Sequence, residues 1–553
     1  MCLLKKLGVF LFVFAFVLGI AACGNGEEET ADAPPEEFNM ENDDSHMSWW
    51  NDAVFYEIFV RSFADSDGDG VGDFQGLIDR LDYLNDGDPA TDEDLGITGI
   101  WLMPISESPS YHGYDVVDYY SIDQEYGDEV DFQNFLDAAH ERGIKVIVDL
   151  VLNHTADEHP WFQDARDPGD GHRDYYIWSD NPPSEPGPWG QTMWHPDAGG
   201  DFYYGIFWSG MPDLNYRNPL VSEAMMDVAR FWIQDMAVDG FRLDAIKYLY
   251  ETEDALENVE ETHQWLRDFY TMYNELNPDF LTVGEIWDST DVISSYIGDQ
   301  VDIAFEFDLA SAILNSARLG NKNGIRTAHS NIIRRYPQGQ YATFITNHDQ
   351  NRVMSELYGQ HGKGKLAAAM LLTSPGVPFI YYGEEVGMEG RKPDEHIRRP
   401  MQWAPEEETG GFTAGEPWIS MGNDYLENNV ELMNSDEDSL LQYYRELIRL
   451  RRDHVALRRG RLHQVATSSF QAYSYIRYDE EETIMVLMNL SADPIQGCEL
   501  TMESGPFSEE TTPMLLSGDG QPSAFSPNEY GGFEEYIPFD ELPAQSVYIL
   551  HLQ

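Results

Sequence analysis

Arg242 and Asp244 lie two residues apart in the run Gly240-Phe-Arg-Leu-Asp-Ala-Ile-Lys-Tyr248, which puts opposite charges where a buried strand carries apolar side chains. Side chains alternate along an extended strand, so Arg242 and Asp244 share one face while Phe241 and Leu243 take the other. In a parallel strand covered by helices, the Phe/Leu face packs outward. The charged face then points into a barrel mouth, at the carboxyl end where such barrels keep their chemistry. A lone Arg-x-Asp on a surface loop would mean little, but this one belongs to a repeating pattern of strands and helices.

From Trp49 onward, short β-branched or aromatic runs alternate with longer amphipathic stretches, the signature of repeated βα units. Eight strands are predicted, at 54–60, 99–105, 145–151, 240–245, 281–286, 301–308, 341–347 and 377–385. Between them, residues 131–140 place Phe132, Phe135, Leu136 and Ala139 on one helical stripe, and the last helix begins at Ser439. The fold class is therefore α/β, a (β/α)₈ TIM barrel. A stretch of close to seventy residues after Val151, rich in Trp, Tyr, Pro, Gly and Asp, is too long for a structureless loop. It predicts an inserted subdomain at 153–210, dividing the barrel into 49–152 and 211–459. Alternating strands after Arg459 predict a C-terminal all-β sandwich domain at 460–553.

The strand motif at Arg242 and Asp244 resembles that of glycoside hydrolase family 13, the α-amylase family. Further motifs follow in the expected order: Asp149-Leu-Val-Leu-Asn-His154, Val283-Gly-Glu285 and Phe344-Ile-Thr-Asn-His-Asp349. Gly99-Ile-Trp-Leu-Met-Pro104, Met211-Pro-Asp-Leu-Asn215 and the run from Gly376 to Glu385 are similar to its auxiliary motifs. The resemblance implies Asp244 as nucleophile, Glu285 as acid/base and Asp349 as a third carboxylate that grips sugar hydroxyls. Arg242 would keep Asp244 ionised, while Glu285 must hold its proton near neutrality. Tyr114 would stack under the sugar, His112, His154 and His348 would bind hydroxyls, and Lys247 and Tyr248 would lie on the leaving-group side. Arg399, in Arg399-Pro-Met-Gln-Trp403, resembles a substrate-side residue of oligo-1,6-glucosidases.

The mixture of motifs resembles an intermediate subgroup between oligo-1,6-glucosidases and neopullulanases. The expected activity is endo-acting hydrolysis of α-1,4-glucan with some transglycosylation. An exo-acting α-glucosidase or a neopullulanase-like enzyme stands second. In the exo-acting form Asp115 with Arg398 or Arg399 would block the cleft. A maltodextrin-binding lipoprotein without activity should have lost Asp244, Glu285 or Asp349, and this chain has all three.

Asp65-Ser-Asp-Gly-Asp-Gly-Val-Gly-Asp73 offers carboxylates at positions 1, 3, 5 and 9 of a loop with Gly70 at the turn. This spacing is similar to an EF-hand loop, although Gly76 stands where that loop has its bidentate Glu. It predicts a Ca²⁺ site at Asp65, Asp67, Asp69, Val71 and Asp73. Asn153 is a candidate for a second calcium site bridging the insert.

Asp and Glu total 99 against 33 Lys and Arg, a formal net charge of −66. Such an excess repels nucleic acid and anionic membranes, and it points to an acidic surface that stays soluble at high salt. Lys5 and Lys6 precede an apolar run at 7–20, shorter than the ~20 residues of a membrane span, so residues 1–22 read as a secretory signal. Ile20-Ala21-Ala22-Cys23 resembles a bacterial lipobox, with Cys23 as the lipidated residue and 23–48 as an acidic tether. An extracytoplasmic, lipid-anchored or secreted monomer is expected. Of the three cysteines, Cys498 is left without a partner, so no disulfide framework is available.

Overall fold

The structure is a computed structural model that describes residues 38–39, 44–251, 255–406 and 408–553. The signal segment, Cys23 and most of the tether lie outside the described residues. Among those described, no helix is long and apolar enough to cross a membrane.

Eight parallel strands form the central sheet: β1 (Phe55–Ile58), β2 (Gly99–Leu102), β3 (Lys145–Val151), β4 (Gly240–Asp244), β5 (Leu281–Gly284), β6 (Ile303–Ala304), β7 (Ala342–Thr343) and β8 (Val377–Tyr381). Their order is β6-β5-β4-β3-β2-β1-β8-β7. A parallel bridge between Phe305 and Ala342 joins the two edges and closes the barrel. Every residue of β1, β2, β4, β5 and β8 is buried, as expected for strands covered on both faces. All eight predicted strands are present, although the sixth and the seventh are two residues each, much shorter than 301–308 and 341–347. For the sixth the reason is local: the helix Phe307–Leu319 starts three residues after Ala304 and takes Asp308 with it.

The helix Glu129–Glu141 buries Phe132, Phe135, Leu136 and Ala139, and the Asp128 carboxylate caps it through the Val130 and Asp131 N–H groups. The last barrel helix, Leu440–Asp453, is capped by the Ser439 hydroxyl. Within the insert, Trp178–Ser179, Phe202–Tyr204 and Trp194–Pro196 form a small antiparallel sheet. Bridges from His154 to Asp213 and from Tyr176 to Leu214 stitch it to the barrel rim.

After the barrel, seven antiparallel strands form one sheet whose two wings share the strand Arg461–Thr467. Met485, Leu487 and Leu550 of one wing pack with Leu500, Met502 and Phe533 of the other. The sandwich is thus one sheet doubled over its own core. Buried Cys498 is free and belongs to that core.

The tether does not run free to residue 48. Phe38 packs on Tyr478 at 4.6 Å and on His463 at 5.5 Å, and the His46 carbonyl accepts from Gln340 Nε2 at 2.7 Å. Burial of an aromatic ring explains why this part of an acidic segment adheres to the folded body.

Candidate active site

Register places the chemistry. In β4 and β5, Leu243 pairs with Gly284, so Asp244 and Glu285 leave their strands side by side, and Glu285 N–H donates to the Leu243 carbonyl at 3.0 Å. In β3, Asp149 pairs with Arg242. The Arg242 guanidinium, wholly buried, reaches Asp244 Oδ1 at 2.6 Å, Asp149 Oδ1 at 2.8 Å and Glu285 Oε2 at 3.1 Å. One cation therefore holds three carboxyl groups together. Ala245 adopts a left-handed conformation with φ 48°, which turns the chain so that its N–H donates to Glu285 Oε2 at 2.9 Å.

A second network meets this one at Tyr114. Its hydroxyl lies 3.0 Å from Asp149 Oδ2 and 2.7 Å from His348 Nε2, and the Tyr114 and His348 rings stack 5.4 Å apart. His348 Nδ1 lies 2.6 Å from Glu57 Oε1, and its Nε2 lies 3.2 Å from Asp349 Oδ2. Arg398 donates to Asp349 Oδ1 at 2.8 Å and to the His348 carbonyl at 3.0 Å.

Burial pushes Asp244 and Glu285 above the usual carboxyl range, and Arg242 opposes it on both. Burial likewise drives Asp149 up to about 7 against the pull of Arg242. Asp349 goes the other way: burial would raise it, but the charges of His348 and Arg398 hold it well below the usual range. His348 would be lowered by burial, yet Asp349 and Glu57 raise it to about 9.

Because that value exceeds the ordinary 6.5, the proton on His348 stabilises the fold fully below about pH 6.5, and this contribution is lost as pH rises through about 9. We expect the melting-temperature advantage of the wild type over His348→Asn to shrink between pH 7 and pH 10. An advantage that stays constant across that range would contradict a protonated His348.

These groups open into a cleft of about 770 Å³ lined by His112, Tyr114, His154, Asp244, Lys247, Tyr248, Glu285, Asp349 and Arg398. Arg399 is not among the lining residues. Its neighbour Arg398 takes the place instead, while the Arg399 carbonyl accepts from the Tyr382 hydroxyl at 2.7 Å. Asp115 also stays out of the cleft, accepting from the Ser108 hydroxyl at 2.8 Å. Lys247 donates to the Trp287 carbonyl at 2.9 Å and pairs with Glu257 at 2.9 Å. His112 accepts the Tyr114 N–H at 3.1 Å, and His154 Nε2 lies 3.1 Å from the Tyr114 carbonyl. Burial lowers both imidazoles, His154 to about 4.

Sequence reasoning passed over Glu57, hidden in an apolar run, and Trp189, Trp208 and Trp287, which line the same cleft 57%, 49% and 49% exposed. Their signal was the rarity of solvent-facing tryptophan, which a sequence does not display.

In the loop after β1, carboxylate oxygens of Asp65, Asp67 and Asp73 lie within 4.8 Å of one another. Asp69 is outside this cluster, and its Oδ1 accepts the Val71 N–H at 2.8 Å. Val71 itself is only partly buried and adds no carboxylate. Asp65 accepts from the Gly68 and Gly70 N–H groups at 2.7 and 2.8 Å and from the Thr413 hydroxyl. Gly70 has φ 96°, and a Cβ there would meet the Glu416 carbonyl oxygen at 2.0 Å, so the turn requires glycine. At the rim of the insert, both amide atoms of Asn153 and Asp213 Oδ2 are buried with no hydrogen-bond partner among the described residues.

A closed eight-stranded barrel with a carboxylate cluster at the carboxyl ends of β4, β5 and β7, opening into a cleft, has the architecture of a barrel enzyme. The family model for the alpha amylase catalytic domain matches residues 57–460, and the chain belongs to this glycoside hydrolase family, the α-amylase family. It is 42% identical to Alpha-amylase 3 of Dictyoglomus thermophilum over 80% of this chain and 85% of the relative. Oligo-1,6-glucosidase of Parageobacillus thermoglucosidasius is 32% identical over 80% of this chain and 90% of the relative. The crystal structure of an alpha-amylase from H. orenii superposes with a TM-score of 0.78 at 38% identity, covering 91% of this chain and 99% of the other.

Proposed function

We propose that this enzyme is an endo-acting α-1,4-glucan hydrolase that works with retention and carries out some transglycosylation. The observation that carries the reading is the open cleft with three exposed tryptophans, two from the insert and one just past Glu285. Its volume falls within the ~300–1,000 Å³ of sites for drug-sized ligands, room for more than one sugar ring. Aromatic faces suit the apolar faces of those rings.

In this reading Asp244 attacks the anomeric carbon as Glu285 gives its proton to the leaving oxygen, forming a glycosyl ester. Glu285, now a carboxylate, takes a proton from water or from a sugar hydroxyl, which displaces Asp244. Water gives hydrolysis and the hydroxyl gives transfer. Asp349, kept ionised by His348 and Arg398, binds hydroxyls of the distorted ring and favours the transition state. With starch, endo action predicts a fall in viscosity well ahead of glucose release and products that first appear as α-anomers. Glucose as the sole early product would establish the exo-acting alternative.

We also propose that the Asp65, Asp67 and Asp73 cluster holds Ca²⁺. The reading is supported by three hard oxygen donors, from Asp65, Asp67 and Asp73, that lie within 4.8 Å of one another. Chelation should lower the melting temperature of the wild type, and Asp67→Ala should remove most of that sensitivity while Asp69→Ala retains it. Equal sensitivity in the wild type and Asp67→Ala would move the ion elsewhere, with Asn153 and Asp213 the next donors to substitute.

A further inference from the structure

A second recess, of about 560 Å³, lies between the segment Asp118–Ile122 and the insert helix Pro160–Ala165, and it shares no lining residue with the catalytic cleft. Two rings flank it. Tyr120 is 41% exposed and backed edge-on by Phe231 at 5.2 Å. Trp161 is partly buried, held by His159 at 4.5 Å and by Tyr175 at 5.4 Å. Rings supported in this way present a fixed face at little entropic cost.

The polar groups between them are mostly uncharged or acceptors. His159 Nδ1 accepts the Trp161 N–H at 3.0 Å, and burial lowers this imidazole to about 4. At neutral pH it therefore carries its one proton on Nε2, a donor for a hydroxyl. Glu107 and Asp118 supply acceptors and Gln124 supplies both kinds of group, while no Lys or Arg lines the recess. Anionic ligands are disfavoured by that balance. Aromatic walls with a few placed donors and acceptors match a neutral polyhydroxylated ring.

We propose that this recess is a second glucan-binding site, which holds another stretch of the polymer cut in the cleft. The proposal rests on the α-glucan reading of the active site. A chain bound at both places would gain through effective concentration, so the recess matters for polymers and not for short oligosaccharides.

The test uses the full chain carrying Asp244→Asn, so that glucan is bound without being cut. Its retardation in gels containing amylopectin is compared with and without Tyr120→Ala or Trp161→Ala. Either ring substitution should weaken the apparent affinity by about tenfold. In the otherwise wild-type chain, the same substitutions should leave kcat/KM on maltotriose within about twofold, because neither ring lines the cleft in which that substrate is cut. Tyr120→Ala truncates a ring at the surface and keeps the test valid if Trp161→Ala fails to fold. Unchanged retardation in Tyr120→Ala, or a parallel fall in maltotriose turnover, would overturn the proposal. If the wild type cleaves neither starch nor any maltooligosaccharide while ring-dependent retardation persists, the catalytic reading falls and the recess stands.

Discussion

Asp244→Asn should lower kcat on maltooligosaccharides by ~10⁴-fold while the protein stays folded. The fold tolerates the change because burial already favours an uncharged side chain at this position, and the amide keeps the shape of the carboxyl. Arg242 retains Asp149 and Glu285 as partners. Glu285→Gln should cost a similar factor on natural substrates, but here leaving-group chemistry separates the two roles. A glycosyl fluoride leaves without a proton, so glycosyl transfer to Asp244 should be largely restored for Glu285→Gln and not for Asp244→Asn. Near-normal turnover in Asp244→Asn, or rescue of both variants by the fluoride, would dismiss the assignment.

Arg242→Met should be the most destabilising single change in the site. It leaves Asp149 and Asp244 buried with no cation in contact and deprives Glu285 of its ion pair. Breaking a buried ion pair from one side costs about 3–5 kcal/mol, and here three pairs share one partner. Protein that remains folded should show its acid limit of kcat/KM displaced to higher pH, since removing a positive charge raises the carboxyl that must be ionised for attack. Arg242→Lys keeps the charge but lacks the planar fork that meets three carboxyls at once, so it should recover part of the stability and little of the activity. A wild-type melting temperature in Arg242→Met would show that the carboxyls are neutralised by other means.

Arg242 and Asp244 also mark how far sequence reasoning reaches. Strand alternation puts them on one face, and the resemblance of the end-of-strand motifs singles out Glu285 and Asp349, while Asp149, which stands in such a motif without a role, is joined to them only by Arg242 and Tyr114 in the folded barrel. Alternation and motif are local signals: a buried parallel strand needs an apolar run, and a charged residue at its end stands out against it. The stripe Phe132, Phe135, Leu136 and Ala139 was legible for the same reason, since a helix that packs on a barrel repeats its contacts every turn.

Irregular segments carry no such period. Arg398 and Arg399 are adjacent and chemically equivalent in the sequence, and the path of the chain after the short helix Asp394–Ile397 sends the first to Asp349 and leaves the second out of the cleft. Asp67 and Asp69 are equally acidic and each accepts the N–H two residues on, yet the path of the loop brings only Asp67 to Asp65 and Asp73. Glu57 reads as an interruption in an apolar strand until His348, far along the chain, closes on it. Trp189, Trp208 and Trp287 line one cleft although they are far apart in the chain, and Trp189 of the insert reaches it by packing on Phe207 and on Tyr248, which follows β4. Local period thus determined the barrel, and the resemblance of the strand-end motifs pointed to Asp244, Glu285 and Asp349, whereas the shape of the cleft around them was decided by long-range packing, where each side chain's direction depends on partners that the linear order does not name.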